Sequence, residues 1–320
     1  MALKIRRERS RGHVGHFRSA EARRAYRAAY DEAFRDLPEA NDKHDVETSF
    51  GRVRAYEWHP RDTEHRHPVI LLPGRASGTP MWSANIRALG EKRRVIALDM
   101  LGDAGLSQQH QPLNQVRDHA TWLHEVQSQL APQGAHVVGH SFGGSTAAAY
   151  ALHHPQSVTS LALLEPMLTL AYPPIRMLLW TALFSLPVLP ARWRSAALAR
   201  VGGSDDDAGA LGRMVSLGVA GFRAELPMPR PLSASQLSEL TMPVYAAFAE
   251  RDSLAGKPGT ASRVRERLPD GHVTTWPGTT HSLPLQVPAA LAGDLDEFWT
   301  RAEERARTHP AAHASRLEQR

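Results

Sequence analysis

Gly139-His140-Ser141-Phe142-Gly143-Gly144 is the stretch on which the fold turns. Ala135 to Gly139 reads as a short strand leading into it. Ser145-Thr146-Ala147-Ala148-Ala149, all small, open a helix running from Gly143 to His153 behind it. A G-x-S-x-G between strand and helix has a mechanical meaning. The serine occupies a strained turn, so its neighbours must be small and its hydroxyl stands clear of the sheet. The helix N-terminus behind it favours negative charge near that hydroxyl. The bare pattern arises by chance about 0.1 times in a chain of this length, and its strand and helix context lowers that further. Ser141 is therefore the candidate nucleophile. The opposing reading is a glycine-rich turn without chemistry.

Working outward, short apolar runs recur. Val69 to Leu72 ends at Pro73-Gly74, Val95 to Leu98 ends at Asp99, and Val158 to Leu164 follows the serine helix. Between them lies an amphipathic helix with Val116, Ala120, Leu123, Val126 and Leu130 on one stripe. Such β-α alternation predicts a mostly parallel central sheet with helices on both faces. The rhythm breaks between Glu165 and Leu240. This stretch is Pro-punctuated and rich in Leu178, Leu179, Trp180, Phe184, Leu186 and Trp193, with a polar joint at Gly202 to Gly209. We expect a helical cap insertion over 166–240, lining an apolar pocket. The alternation resumes with strand Val244 to Ala249, helix Ser262 to Leu268, strand Val273 to Trp276 and a closing helix over 288–306. A hairpin, with Val46, Thr48 and Phe50 alternating before Gly51, precedes the first buried strand. The expected organisation is a basic arm and helix over 1–45, a core over 46–165 and 241–306, the cap, and a polar tail over 307–320.

The arm divides at Ser19, which can cap a helix over 19–37 carrying Tyr26, Tyr30, Phe34 and Leu37 on one stripe. Residues 1–18 are polar, basic and without period, and are expected to be mobile. The whole chain of 320 residues carries +5, but residues 1–27 alone hold nine Lys/Arg against two acids. The rest is slightly acidic, which disfavours a nucleic-acid-binding body. Cysteine is absent, which removes disulfides, thiolate metal sites and cysteine nucleophiles together. The longest apolar run, Met177 to Leu186, is too short for a membrane span, which needs about 20 residues. No signal-type segment is legible, and a cytoplasmic location is expected.

A serine hydroxyl needs a base, and the base needs an orienting acid. For a serine on such an elbow the acid and then the histidine follow in the chain. Asp252 lies just past strand Val244 to Ala249, and His281 just past Val273 to Trp276. Both fall at the carboxyl edge of the sheet, where open α/β sheets place their ligands. His281 is singled out by this position, since the chain has 17 histidines. The pairs His65/His67 and His153/His154 lack a third ligand at useful spacing and read as solvated. No metal and no cofactor is implied.

With these residues in view, the chain resembles the α/β-hydrolase superfamily. It is similar there to bacterial serine carboxylesterases whose first loop reads H-G-x-x-x-x-S-x-M-W and whose second reads D-x-x-G-D-x-x-x-S. Here the first loop is Pro73-Gly74-Arg75-Ala76-Ser77-Gly78-Thr79-Pro80-Met81-Trp82 and the second is Asp99-Met100-Leu101-Gly102-Asp103-Ala104-Gly105-Leu106-Ser107. Pro73 stands where that pattern has its histidine. The resemblance covers about 46–306, without most of the insertion and without the arm. It implies an α/β-hydrolase fold and hydrolysis of a hydrophobic small-molecule carboxylic ester. It further implies a Ser141-His281-Asp252 triad and an oxyanion hole from the backbone N–H groups of Arg75 and Phe142. The Arg75 side chain reads either as a solvated loop residue or as a cation for an acidic substrate group. Glu165 is the alternative acid, because it ends the strand Val158 to Leu164 and a minority of these enzymes orient their histidine from there. The same triad serves thioesterases, lactonases and C–C bond hydrolases, and a non-catalytic ligand-binding relative is a further alternative.

Overall fold

Val69, Ile70, Leu71 and Leu72 are all fully buried, and they divide between two cores. Ile70 and Leu72 join one apolar cluster with Ile96, Leu98, Val137, Leu161 and Phe248. Val69 and Leu71 join the other with Val95, Ala97, Val138, Leu164 and Tyr245. Successive side chains of a strand point to opposite faces, so an unbroken apolar run means a sheet covered on both sides.

The computed structural model describes residues 13–60, 66–185, 190–202, 209–268 and 271–308. Its strands are β1 (His16–Phe17), β2 (Asp42–Thr48), β3 (Gly51–Trp58), β4 (Val69–Leu72), β5 (Val95–Leu98) and β6 (Gln108–Gln109), followed by β7 (Ala135–His140), β8 (Val158–Leu164), β9 (Phe222–Arg223), β10 (Val244–Ala249) and β11 (His272–Trp276). Its helices are α1 (Ala20–Phe34), α2 (Ser83–Gly90), α3 (Val116–Leu130), α4 (Phe142–His153), α5 (Ile175–Ser185) and α6 (Ala191–Gly202), then α7 (Ala210–Gly221), α8 (Ala234–Ser238), α9 (Thr260–Arg267), α10 (Leu283–Gln286) and α11 (Pro288–Thr308). The main sheet runs β11-β10-β8-β7-β4-β5-β3-β2, with β6 on the edge of β3. Neighbours from β11 to β5 are parallel, and β3 and β2 are antiparallel. Helices α3 and α4 cover one face, and α2 and α11 the other.

Two features of the N-terminal region differ from expectation. His16–Phe17 are ordered as a strand against Arg223 and Phe222, and the Phe17 ring meets Tyr26 and Phe222 at 5.3 and 5.0 Å. One aromatic residue with two ring partners ties down a segment whose sequence has no period. Strand β2 starts at Asp42, inside the expected arm, because its pairing with β3 runs from Asp42↔Glu57 to Thr48↔Gly51. Helix α1 is capped by Ser19, whose hydroxyl accepts from Ala22 N at 3.0 Å. Of its expected stripe, Tyr26 and Tyr30 are buried with Ala29 and Ala33 against Ala76, Ala104 and Met214, Phe34 is partly buried, and Leu37 lies past the end of the helix in the core beneath α2 and α11. Each large apolar side chain buried there contributes about 1.5–3 kcal/mol. The expected mobile residues 1–12 and the tail beyond 308 lie outside the described residues.

The segment 166–240 carries α5, α6, α7 and the short α8. Among the described side chains of α5, α6 and α7, Met177, Ala197, Val201 and Met214 are buried, whereas Leu178, Leu179, Trp180 and Trp193 are exposed. The last four therefore do not line an interior pocket as expected. Leu186 lies outside the described residues.

Candidate functional site

Strand β7 delivers Ser141 with φ 54° and ψ −118°, a conformation that costs a non-glycine residue about 1–3 kcal/mol. Three backbone bonds fix it: Ser141 N to Leu164 O at 3.1 Å, Gly144 N to Ser141 O at 3.0 Å, and Met167 N to Ser141 O at 3.1 Å. The flanking glycines are required by contact. A β-carbon on Gly139 would collide with the Gly143 carbonyl, and one on Gly143 with the Leu72 carbonyl. The G-x-S-x-G pattern is thus a record of α4 crossing β7 and β4 at backbone distance.

The Ser141 Oγ lies 2.9 Å from His281 Nε2, although the two residues are 140 positions apart. Both are 7% exposed. His281 Nδ1 lies 3.1 Å from a carboxylate oxygen, and that carboxylate belongs to Glu165. Glu165 is fully buried and accepts three further bonds, from Ala249 N (2.7 Å), Ser253 Oγ (2.7 Å) and Leu254 N (3.0 Å). Asp252, the first-choice acid of the sequence reading, points elsewhere. Its half-exposed carboxylate pairs with Arg176 at 3.0 Å. Strand order explains the exchange. β8 lies directly beside β7, and β10 lies one strand further out. Glu165 leaves β8 at φ 48°. Its side chain, one methylene longer than aspartate, reaches the imidazole from that neighbouring position.

His140, the variable residue of the elbow, has a function the sequence reading missed. Its Nε2–H donates to the His281 carbonyl at 2.8 Å, fixing the histidine loop from behind. Burial pushes its pKa down to about 3, so the ring is neutral at physiological pH.

The first loop passes close to the nucleophile. A β-carbon on Gly74 would sit 3.3 Å from Ser141 Cβ. Among the described residues, neither the Arg75 nor the Phe142 amide has a hydrogen-bond acceptor. Two buried carboxylates of the second loop hold the first in place. Asp103 accepts from Ala76 N at 2.8 Å and from Arg75 Nε at 3.0 Å. Asp99 accepts from Thr79 N (2.8 Å), Thr79 Oγ1 (2.9 Å), Leu106 N (2.7 Å) and Tyr30 OH (3.1 Å). Burial raises the Asp99 pKa against the opposing effect of these bonds. Tyr26 adds a bond from its hydroxyl to Ala104 O at 3.0 Å. Helix α1 thus reaches the second loop through two hydroxyls, which on a helical stripe read simply as core. The Arg75 guanidinium, paired with Asp103, also lies over the Phe142 ring at 5.5 Å.

A second Ser-His-carboxylate row exists at the opposite edge. His136 Nδ1 is 2.8 Å from Ser160 Oγ, and its Nε2 is 3.1 Å from Glu303, which also binds Arg93 at 2.6 Å. Ser160 and His136 expose no surface, so no substrate reaches them. Among the described residues, the cluster Asp42, Glu57 and His59 has ligand atoms within 4.8 Å of one another, but Glu57 is already held by both ends of the Arg94 fork. Of the histidine pairs, His153 bonds to Ala149 O and His154 stacks on His124, while His65 lies outside the described residues.

Comparisons with known proteins agree with this architecture. Residues 67–197 match a family model described as the alpha/beta hydrolase fold. Carboxylesterase YbfK of Bacillus subtilis is 29% identical over 150 residues, 47% of this chain and 50% of that protein. A second Bacillus subtilis protein, named uncharacterized carboxylesterase nap, is 30% identical over 141 residues, 44% of this chain and 46% of its own. The chain therefore spans about half the length of these relatives in sequence. In three dimensions the crystal structure of carboxylesterase CesB (YbfK) superposes with a TM-score of 0.78 at 23% identity, covering 87% of this chain and 98% of that one. The naproxen esterase of Bacillus subtilis superposes with a TM-score of 0.78 at 20% identity, covering 88% and 99%. Sheet order, serine elbow and these likenesses converge: the chain has the α/β-hydrolase fold and is similar to bacterial carboxylesterases.

Proposed function

We propose that this chain is a serine carboxylesterase acting through Ser141, His281 and Glu165. The observation that carries the reading is the row Ser141 Oγ–His281 Nε2–Nδ1–Glu165 Oε2, at 2.9 and 3.1 Å, on a strained elbow. Ser141 attacks the ester carbonyl while His281 Nε2 takes its proton. Glu165 keeps the other proton on Nδ1, so that Nε2 carries the lone pair, and then stabilises the imidazolium. The negative charge that develops on the carbonyl oxygen falls to the Arg75 and Phe142 amides, each worth about 3–4 kcal/mol in comparable sites. The imidazolium protonates the leaving alcohol. Water then repeats the sequence on the acyl-enzyme, again with His281 as base. Residues 166–240 act as a cap over the nucleophile, and the substrate is a small hydrophobic ester.

A fluorophosphonate probe should label Ser141 in the wild type and not in Ser141→Ala. That variant should fold normally and lose several orders of magnitude in kcat on p-nitrophenyl esters. Labelling at another serine, or full activity in the alanine variant, overturns the proposal.

A further inference from the structure

Among the described residues, every large hydrophobic side chain that is exposed falls in the insertion. Ile175 is 74% exposed, Leu179 60% and Trp193 57%, with Leu178 and Trp180 beside them. The first part of the insertion, up to the Asp205-Asp206-Asp207 that follows α6, is one-sided in charge. From Pro166 to Ser204 there is no Asp or Glu, and there are four arginines, at 176, 192, 194 and 200. Arg192 and Arg200 are exposed on α6, the helix that carries Trp193. Helices α5 and α6 pack against each other, and Met177 and Val201 share a buried seam with Leu254. Leu254 is the residue whose amide binds Glu165, and Arg176 holds Asp252 two positions earlier. The helix pair therefore sits on the loop after β10, whose Leu254 amide and Ser253 hydroxyl hold Glu165.

We infer that the α5–α6 face is a docking surface for an anionic phospholipid bilayer, which it meets in the plane of the interface. Exposed aliphatic and tryptophan side chains flanked by arginines, with no acidic residue among them, are the composition of an interfacial helix. Apolar side chains enter the acyl boundary, and Arg192 and Arg200 meet lipid phosphates, extending their alkyl stems along the apolar surface. A second copy of this chain is the poorer occupant, because a symmetric contact would bring the two arginine sets face to face. This surface stands independently of the esterase assignment. Its consequence rests on that assignment: the substrate class becomes esters presented at a lipid surface, delivered beside Ser141.

The test uses the full chain and sedimentation with large unilamellar vesicles of phosphatidylcholine, with or without phosphatidylglycerol. Two double variants alter the face, Arg192→Glu with Arg200→Glu, and Ile175→Ser with Leu179→Ser. The wild type should bind the anionic vesicles and bind neutral ones weakly. Loss of the two arginines should weaken anionic binding at least about 25-fold, at roughly fivefold for each charge removed. The serine pair should also lose binding, and both variants should hydrolyse a water-soluble short-chain ester at the wild-type rate. On a long-chain ester carried in anionic vesicles they should be slower than wild type. Absence of wild-type binding to anionic vesicles overturns the inference. So does binding that survives in both variants, which would assign it to the basic N-terminal arm, and so does a wild-type dimer that dissociates in them. Vesicle binding without hydrolysis of the soluble ester would instead defeat the esterase proposal and leave the surface standing.

Discussion

Exchanging Glu165 for glutamine changes one atom at the most constrained carboxylate of the site. Four donors converge on it: Ala249 N and Ser253 Oγ on Oε1, Leu254 N and His281 on Oε2. Glutamine has one acceptor oxygen. With that oxygen in the Oε1 position, the new NH2 faces the Leu254 N–H, donor against donor, and also His281 Nδ1. The imidazole can accept from it only by moving its proton to Nε2, the atom that must take the proton of Ser141. The variant is therefore locked in the unproductive tautomer, and kcat should fall by about 10⁴, or roughly 5.5 kcal/mol. The Leu254 amide left without its partner should lower stability by about 1–3 kcal/mol. The control is Asp252→Asn. Its ion pair with Arg176 joins two partly exposed groups and is worth about 0–1 kcal/mol. Asparagine also accepts the φ of 47° at this position. Initial rates on p-nitrophenyl butyrate, with denaturant midpoints measured in parallel, decide the matter. If Glu165→Gln stays within about tenfold of wild type while Asp252→Asn takes the 10⁴-fold loss, Asp252 is the working acid and the geometric argument fails.

Tyr30→Phe removes one of four donors to Asp99 and should cost about 1.5–3 kcal/mol of stability, a typical value for a bond to a charged group. It should also lower kcat several-fold with little change in KM, because Thr79 and the first loop lose support; unchanged kcat at saturating ester would show that α1 does not reach the site. Deleting residues 1–12 should leave kcat and the melting temperature near wild type. Deleting 1–18 should lower the melting temperature, since Phe17 packs on Tyr26 and Phe222, and equal behaviour of the two truncations would refute that packing. Burial lowers the pKa of His119 and His136 to about 4 and that of His140 to about 3. Above the ordinary value near 6.5 these rings are neutral in both folded and unfolded chains. Below it the unfolded chain takes up protons that the folded one refuses. Stability should fall as pH drops from 6.5 through about 4, at roughly 1.4 kcal/mol per pH unit for each histidine. Urea midpoints at several pH values should follow this slope, and midpoints that stay flat across the window would contradict it.

Much of the molecule is readable one segment at a time. Runs such as Val69 to Leu72 are apolar on both faces of the strand, so they belong in a doubly covered sheet wherever they lie. Gly139, Gly143 and Gly144 flank Ser141 because backbones touch there, and that demand is local enough to leave a sequence pattern. His281 is legible for the same reason, as the residue just past the last strand. The acid is different. Glu165 and Asp252 both follow a strand, both precede His281 in the chain, and both lie at the carboxyl edge of the sheet. What separates them is lateral order, β7 beside β8 with β10 one strand further out, and order across a sheet is set by packing between segments distant in the chain. Tyr30 and Asp99 are a second case: 69 positions apart, each has an ordinary local reading, as core aromatic and as strand-end acid. The insertion is the third, because an apolar composition fixes how much surface must be covered and leaves open which side is covered. Local steric and burial rules act on neighbours in the chain and leave their mark in the sequence, whereas contacts between remote segments arise only when the sheet assembles.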